Sequence, residues 1–105
     1  MSPDLTQQLL QRHPRLLSKL TARDEAAIDL ICVDDSWFDL LDVLLERIQA
    51  HVETEELEQV MVKQVKEKLG TLRFYVNHGD EYIWGMTDMA VALSARLPQT
   101  TRTNS

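Results

Sequence analysis

Apolar positions along this chain change period twice, from about 3.6 residues to 2 and back, and the changes mark its elements. Trp37, Leu40, Leu41, Leu44, Ile48 and Val52 recur at spacings of 3, 1, 3, 4 and 4, which predicts a helix over 36–52 with that line buried. Two extended runs follow, Val60–Val65 and Thr71–Val76, flanking a short polar segment that ends in Gly70; they predict an antiparallel hairpin. In the second run Leu72, Phe74 and Val76 share a core face, and Thr71, Arg73, Tyr75 and Asn77 the open one. The helical period returns with Ile83, Met86, Ala90, Leu93 and Leu97, predicting a last helix from about Asp80 to Leu97 that Pro98 closes.

Before the main helix the signals are shorter. Ser2-Pro3 reads as an N-cap with proline at the first helical position, Leu5, Leu9 and Leu10 give the stripe, and Pro14 ends the helix near Arg12 or His13. Leu16, Leu17 and Leu20 suggest a further turn, and Thr21 with Asp24-Glu25 the start of another element. Ile28–Val33 fits a short strand or a helix end, the strand being preferred. The expected fold is α+β: a small single domain over 1–98 with N-terminal helices, an antiparallel β-hairpin joined by a third short strand, and a C-terminal helix packed on the sheet. Residues 99–105 read as a polar, flexible tail.

A length of 105 residues allows one modest core. No apolar run approaches the ~20 residues of a membrane span, and Asp4 stands where a signal peptide would be basic, so a cytoplasmic protein is expected. Cys32 is the single cysteine, which excludes an internal disulfide and a cysteine zinc cluster; its apolar neighbours predict a core position. Trp37, Trp84, Met61, Met86 and Met89 are expected in the core, with Tyr75 and Tyr82 as better partner contacts. A homodimer is conceivable by strand addition along Val60–Val65.

Charge changes the picture. Residues 1–23 carry one acid against four bases, giving +3; residues 24–58 carry twelve acids against Arg47 alone, giving −11; residues 59–105 carry four acids against six bases, giving +2. At 100° per residue Asp35, Asp39, Asp42, Glu46 and Glu53 fall opposite the apolar line of the main helix, and Glu55, Glu56 and Glu58 extend the acidic surface into a loop. No lysine lies between these like charges to relieve them. The stripe reads either as a solvated face or as a docking surface that steers a basic partner.

Enzymatic chemistry finds little support: the chain has no Gly-rich phosphate loop, H-x-x-x-H pair, G-x-S-x-G elbow or cysteine with an obvious partner. No catalytic residue, metal or cofactor is expected. His13, His51 and His78 are far apart in sequence, although each could meet a carboxylate in the fold. His78-Gly79-Asp80-Glu81 reads as a turn leading into a helix N-terminus. A different class of function starts from Lys63, Lys66, Lys68, Arg73 and Tyr75 on the hairpin, where cations could track phosphates and an aromatic stack on a base.

The words KEKLGTLRFY at Lys66–Tyr75 resemble a motif of the form KEKFG(G/T)LRFY, found in a family of small uncharacterised proteins of phages, prophages and their bacterial hosts. The resemblance extends to Asp35-Ser36-Trp37-Phe38-Asp39-Leu40-Leu41 at a helix start and to Met89–Ser94 in the last helix, so it covers roughly Arg12 to Arg96. Family members continue into a C-x-x-C-G element, whereas this chain runs Leu97-Pro98-Gln99-Thr100-Thr101, so any metal role of that element is absent. The resemblance implies origin and fold, and supplies no reaction. In size and charge the chain also resembles small acidic phage proteins such as anti-CRISPR and other anti-defence inhibitors, which act by stoichiometric binding; that class-level analogy implies a host partner with a basic surface, such as a CRISPR effector or another nucleic-acid-handling defence complex. The carboxylates of the acidic stripe and loop would make that contact.

Overall fold

A computed structural model of the chain describes residues 1–18 and 31–97. The elements run α1 (Pro3–Arg12), β1 (Ile31–Cys32), a 3-10 turn (Asp35–Trp37), α2 (Phe38–Thr54), β2 (Val62–Lys68), β3 (Thr71–Val76) and α3 (Glu81–Ser94). The fold is a small α+β arrangement with a three-stranded sheet in the order β1-β2-β3. None of the described helices is long and apolar enough to cross a membrane.

Local chemistry sets each boundary. The Ser2 side chain accepts the amide of Leu5 and Pro3 opens α1. Asp34 caps the 3-10 turn through the Ser36 amide, and Asp80 caps α3 through the Ile83 amide. The helix N-terminus expected after His78-Gly79 is therefore present, with Asp80 as its cap. At the far end of α2, Leu57 N–H reaches Val52 O at 2.9 Å and Glu56 N–H reaches Glu53 O at 3.3 Å, a Schellman closure. Glu56 takes its left-handed position at φ 55°, where glycine is the unstrained residue.

The hairpin is longer than its apolar pattern suggested. β2 continues through Lys66, Glu67 and Lys68, which alternate across the strand, and the turn shrinks to Leu69-Gly70 at φ 56° and 83°. Two consecutive positive φ angles make a primed turn whose twist matches the strands. Glu67 secures it by accepting the Gly70 amide at 2.6 Å. Leu72 and Phe74 are buried and Tyr75 is exposed, as the period-2 pattern requires. The third strand exists at Ile31–Cys32; it runs parallel to β2, pairing Ile31 with Val65 and Cys32 with Lys66. The first part of the expected Ile28–Val33 strand, up to Leu30, lies outside the described residues. So do Leu20, the element begun by Thr21 and Asp24-Glu25, and the polar tail from Pro98 onward.

One core cluster joins Leu9, Leu16 and Leu17 of the N-terminal segment, the inner line of α2, the inward residues of β2 and β3, and Ile83 and Ala90 of α3. Trp37 and Ile48 are completely buried, as their spacing predicted, and Leu45 joins them at 1 % exposure. Five expectations fail. Cys32 is exposed, because strand alternation turns Ile31 inward and the cysteine outward. Trp84, Met89 and Leu93 stand 50 %, 68 % and 45 % exposed, because α3 buries only the narrow line of Ile83, Ala90 and Ser94. Strand addition along Val60–Val65 is also closed, since the Val62 amide donates to Leu16 O and β1 occupies Val65 and Lys66. β3 is an edge strand of the sheet, and there Ser94 Oγ accepts the buried Leu72 amide at 2.9 Å.

Two substitutions test this account by urea denaturation. Ser94→Ala leaves the Leu72 amide buried without its acceptor and should cost about 1–3 kcal/mol. Glu56→Gly should raise stability by about 0.5–1 kcal/mol, the relief of left-handed strain less the entropy that glycine adds to the unfolded chain.

Candidate functional site

The acidic stripe of α2 is divided by the N-terminal segment. Asp42 accepts Arg12 Nη1 through one oxygen at 2.7 Å and meets His13 Nε2 through the other at 2.7 Å. The His13 side chain is 8 % exposed and that of Asp42 24 %, so this pair is largely withdrawn from solvent. Glu53 receives Arg15 at 3.4 Å and Gln49 at 3.1 Å, and Asp35 accepts the Ser2 amide at 2.7 Å. Arg12 also lies over the Phe38 ring, 5.7 Å from its centroid. Three of the five stripe carboxylates expected to face a partner therefore hold the chain's own basic end, and the unrelieved repulsion read along the helix is relieved from outside it.

Asp39 and Glu46 remain exposed on α2, and Glu55, Glu56 and Glu58 on its C-terminal turn; none has an ion pair among the described residues. At 100° per residue Asp39 and Glu46 lie between the line of Asp42 and Glu53 and that of Val43, and Glu46 lines a pocket with Arg12, His13 and Asp42. Glu56 holds its carboxylate at a strained backbone position.

Behind the acidic surface His51 ties α2 to α3. Its Nε2 lies 2.8 Å from Asp80 Oδ2, and its ring stacks on Tyr82 with centroids 4.3 Å apart and planes 8° from parallel. Asp80 serves the Ile83 amide with its other oxygen. The hydrogen bond from His51, reinforced by that amide, holds the Asp80 carboxyl below its ordinary value. Two of the three histidines thus meet carboxylates, while His78 Nε2 lies 3.2 Å from Gln59 O. The sequence offered no signal for these pairings, since each partner is 29 positions away. Among the described residues no three His, Cys, Asp or Glu side chains converge to hold a metal ion.

The hairpin cations share the solvent face of the sheet. Lys66 sits directly opposite Arg73, Lys68 opposite Thr71 and Tyr75 opposite Gln64, while Lys63 lies in the irregularity between Val62 and Gln64. Like charges directly opposite one another are unfavourable, and neither Lys66 nor Arg73 has an ion pair among the described residues.

The chain matches no protein-family model, no curated protein and no solved structure.

The two ion-pair sites on α2 should behave differently on mutation. Asp42→Ala leaves the buried His13 without its partner and should cost about 1–3 kcal/mol, whereas Glu53→Gln removes an exposed pair and should shift stability by less than about 0.5 kcal/mol. Asp80→Asn keeps the helix cap and loses the charge facing His51. Because the folded carboxyl titrates below its unfolded value, its contribution is complete above the ordinary carboxylate range and disappears as pH falls through the lowered value. Urea midpoints should show Asp80→Asn less stable than the parent at neutral pH, with the gap closing in acid.

Proposed function

We propose that the protein acts by stoichiometric binding to a protein with a basic surface, its contact built on the acidic side of α2 and the turn that follows. The observation that carries this reading is the set of exposed carboxylates on Asp39, Glu46, Glu55, Glu56 and Glu58, which find no cation among the described residues. A row of fixed like charges on a rigid helix is unfavourable in the free protein and becomes favourable only against opposite charge. A left-handed glutamate where glycine would relieve strain adds to the argument, since strain that persists on an exposed turn points to a use for the side chain. Asp35, Asp42 and Glu53 belong to the internal latch and support this surface indirectly. In its most concrete form the partner is a nucleic-acid-handling host defence complex, whose phosphate-binding surface such a face would occupy.

A second reading rests on the Lys66–Arg73 juxtaposition, with Lys63, Lys68 and Tyr75 beside it on the open sheet face. This surface offers phosphate contacts and one stacking platform to single-stranded nucleic acid.

Affinity capture from bacterial lysate, with Asp39, Glu46, Glu55 and Glu58 changed to Lys in a parallel sample, separates the two. The first reading expects a stoichiometric protein that the charge-reversed variant no longer retains, and a protein held equally by both samples would overturn it. The second expects a labelled single-stranded oligonucleotide to shift at low salt and the shift to weaken about tenfold in Lys66→Ala/Arg73→Ala.

A further inference from the structure

The outward side of the sheet carries charge of one sign. Lys66 of β2 lies between Cys32 of β1 and Arg73 of β3 in the cross-strand register, and Lys68 and Gln64 face Thr71 and Tyr75. None of these outward positions holds a carboxylate; Glu67 is turned to the other side, opposite Leu72, where it accepts the Gly70 amide. Lys66 and Arg73 therefore repel each other directly, and neither has an ion pair among the described residues. Tyr75 stands beside them on the same face, 49 % exposed.

The outward row of α2 carries the opposite sign. At 100° per residue Asp39 lies about 180° from the buried Ile48, and Glu46 lies about 20° from Asp39, two turns further on. Both carboxylates are exposed and have no ion pair among the described residues, and Val43, 54 % exposed, comes between them along the helix. Of the nearby bases, Arg12 and Arg15 are taken up by Asp42 and Glu53, and Arg47 stands about 80° round the helix from Asp39. The inner sides of the sheet and of α2 meet in one core cluster, so the two charged faces point away from each other on opposite sides of the molecule. One copy cannot join them, but two copies can. We infer that the protein associates with itself head to tail, the Lys66–Arg73 face of one copy against the Asp39–Glu46 row of the next, with Tyr75 against Val43. Every such contact leaves one face of each sign unused at the ends, so further copies can add. A nucleic-acid strand fits the sheet face less well, because the net charge of −6 repels a polyanion. The inference goes beyond the partner reading above, and a basic partner would compete with the second copy for α2.

Sedimentation velocity on the full-length protein tests this. Exposed ion pairs are individually weak, so the expected dissociation constant is on the order of 0.1 mM at about 50 mM salt, weakening about tenfold at about 300 mM. Lys66→Ala/Arg73→Ala and Asp39→Ala/Glu46→Ala, each with the circular dichroism of the parent, should each weaken self-association about tenfold or more. Mixed together, the two variants should form a 1:1 complex at the parent's affinity that adds no third copy, since each supplies the face that the other lacks. A parent that stays monomeric at about 0.5 mM in low salt overturns the inference, as does a mixture that forms no complex. Association lost in Lys66→Ala/Arg73→Ala but kept in Asp39→Ala/Glu46→Ala also overturns it, and assigns a symmetric sheet-to-sheet dimer. A monomeric parent that shifts a labelled single-stranded oligonucleotide overturns it and gives the sheet face to nucleic acid. None of these failures bears on capture of a basic protein by the acidic face, which the lysate experiment reads separately.

Discussion

Because Ile31 and Cys32 run parallel to Val65 and Lys66, the chain has to cross the molecule between the two strands, and α2 is that crossing. Antiparallel strands can be joined by two residues, as Leu69-Gly70 joins β2 to β3, but a parallel pair needs a connection long enough to return to the same end. A helix of 17 residues meets that need, and its inner line from Leu41 to Val52 enters the core in doing so. Once α2 is fixed in this way, its remaining surface is fixed as well. One flank is met by the segment after α1, the other borders α3, and the carboxylates between them face outward.

The electrostatics follow from that placement. A helix and turn that carry seven acids against Arg47 alone over residues 38–58 would repel themselves, and the positively charged N-terminal segment is a remedy in the same chain. Arg12, His13 and Arg15 take up Asp42 and Glu53 but reach no further. The carboxylates that remain are Asp39 and Glu46 on α2 and Glu55, Glu56 and Glu58 on the turn after Thr54.

At the other end of α2, His51 gathers three roles at one point. It lies within hydrogen-bond distance of the residue that caps α3, stacks on the first exposed aromatic of that helix, and sits in the last turn of its own helix, where positive charge is favoured. This junction orients α3 so that its narrow inner line is buried and its outer face, with Trp84, Met89 and Leu93, is left open.

Much of the local structure was legible in sequence because it depends on periodicity and on side chains acting within a few residues. The Trp37–Val52 line, the Leu72/Phe74 face, and the caps at Ser2 and Asp80 are of that kind. The acidic composition of α2 was equally plain. Tertiary structure alone decided which of those acids are free, because Asp42 meets Arg12 and His13 across about thirty positions and no local pattern encodes that meeting. It also decided that Cys32 faces outward, that Val60–Val65 is no open edge, and that Met89 and Leu93 lie outside the core. Local spacing determines which residues share a face; which face is buried depends on what the rest of the chain brings against it.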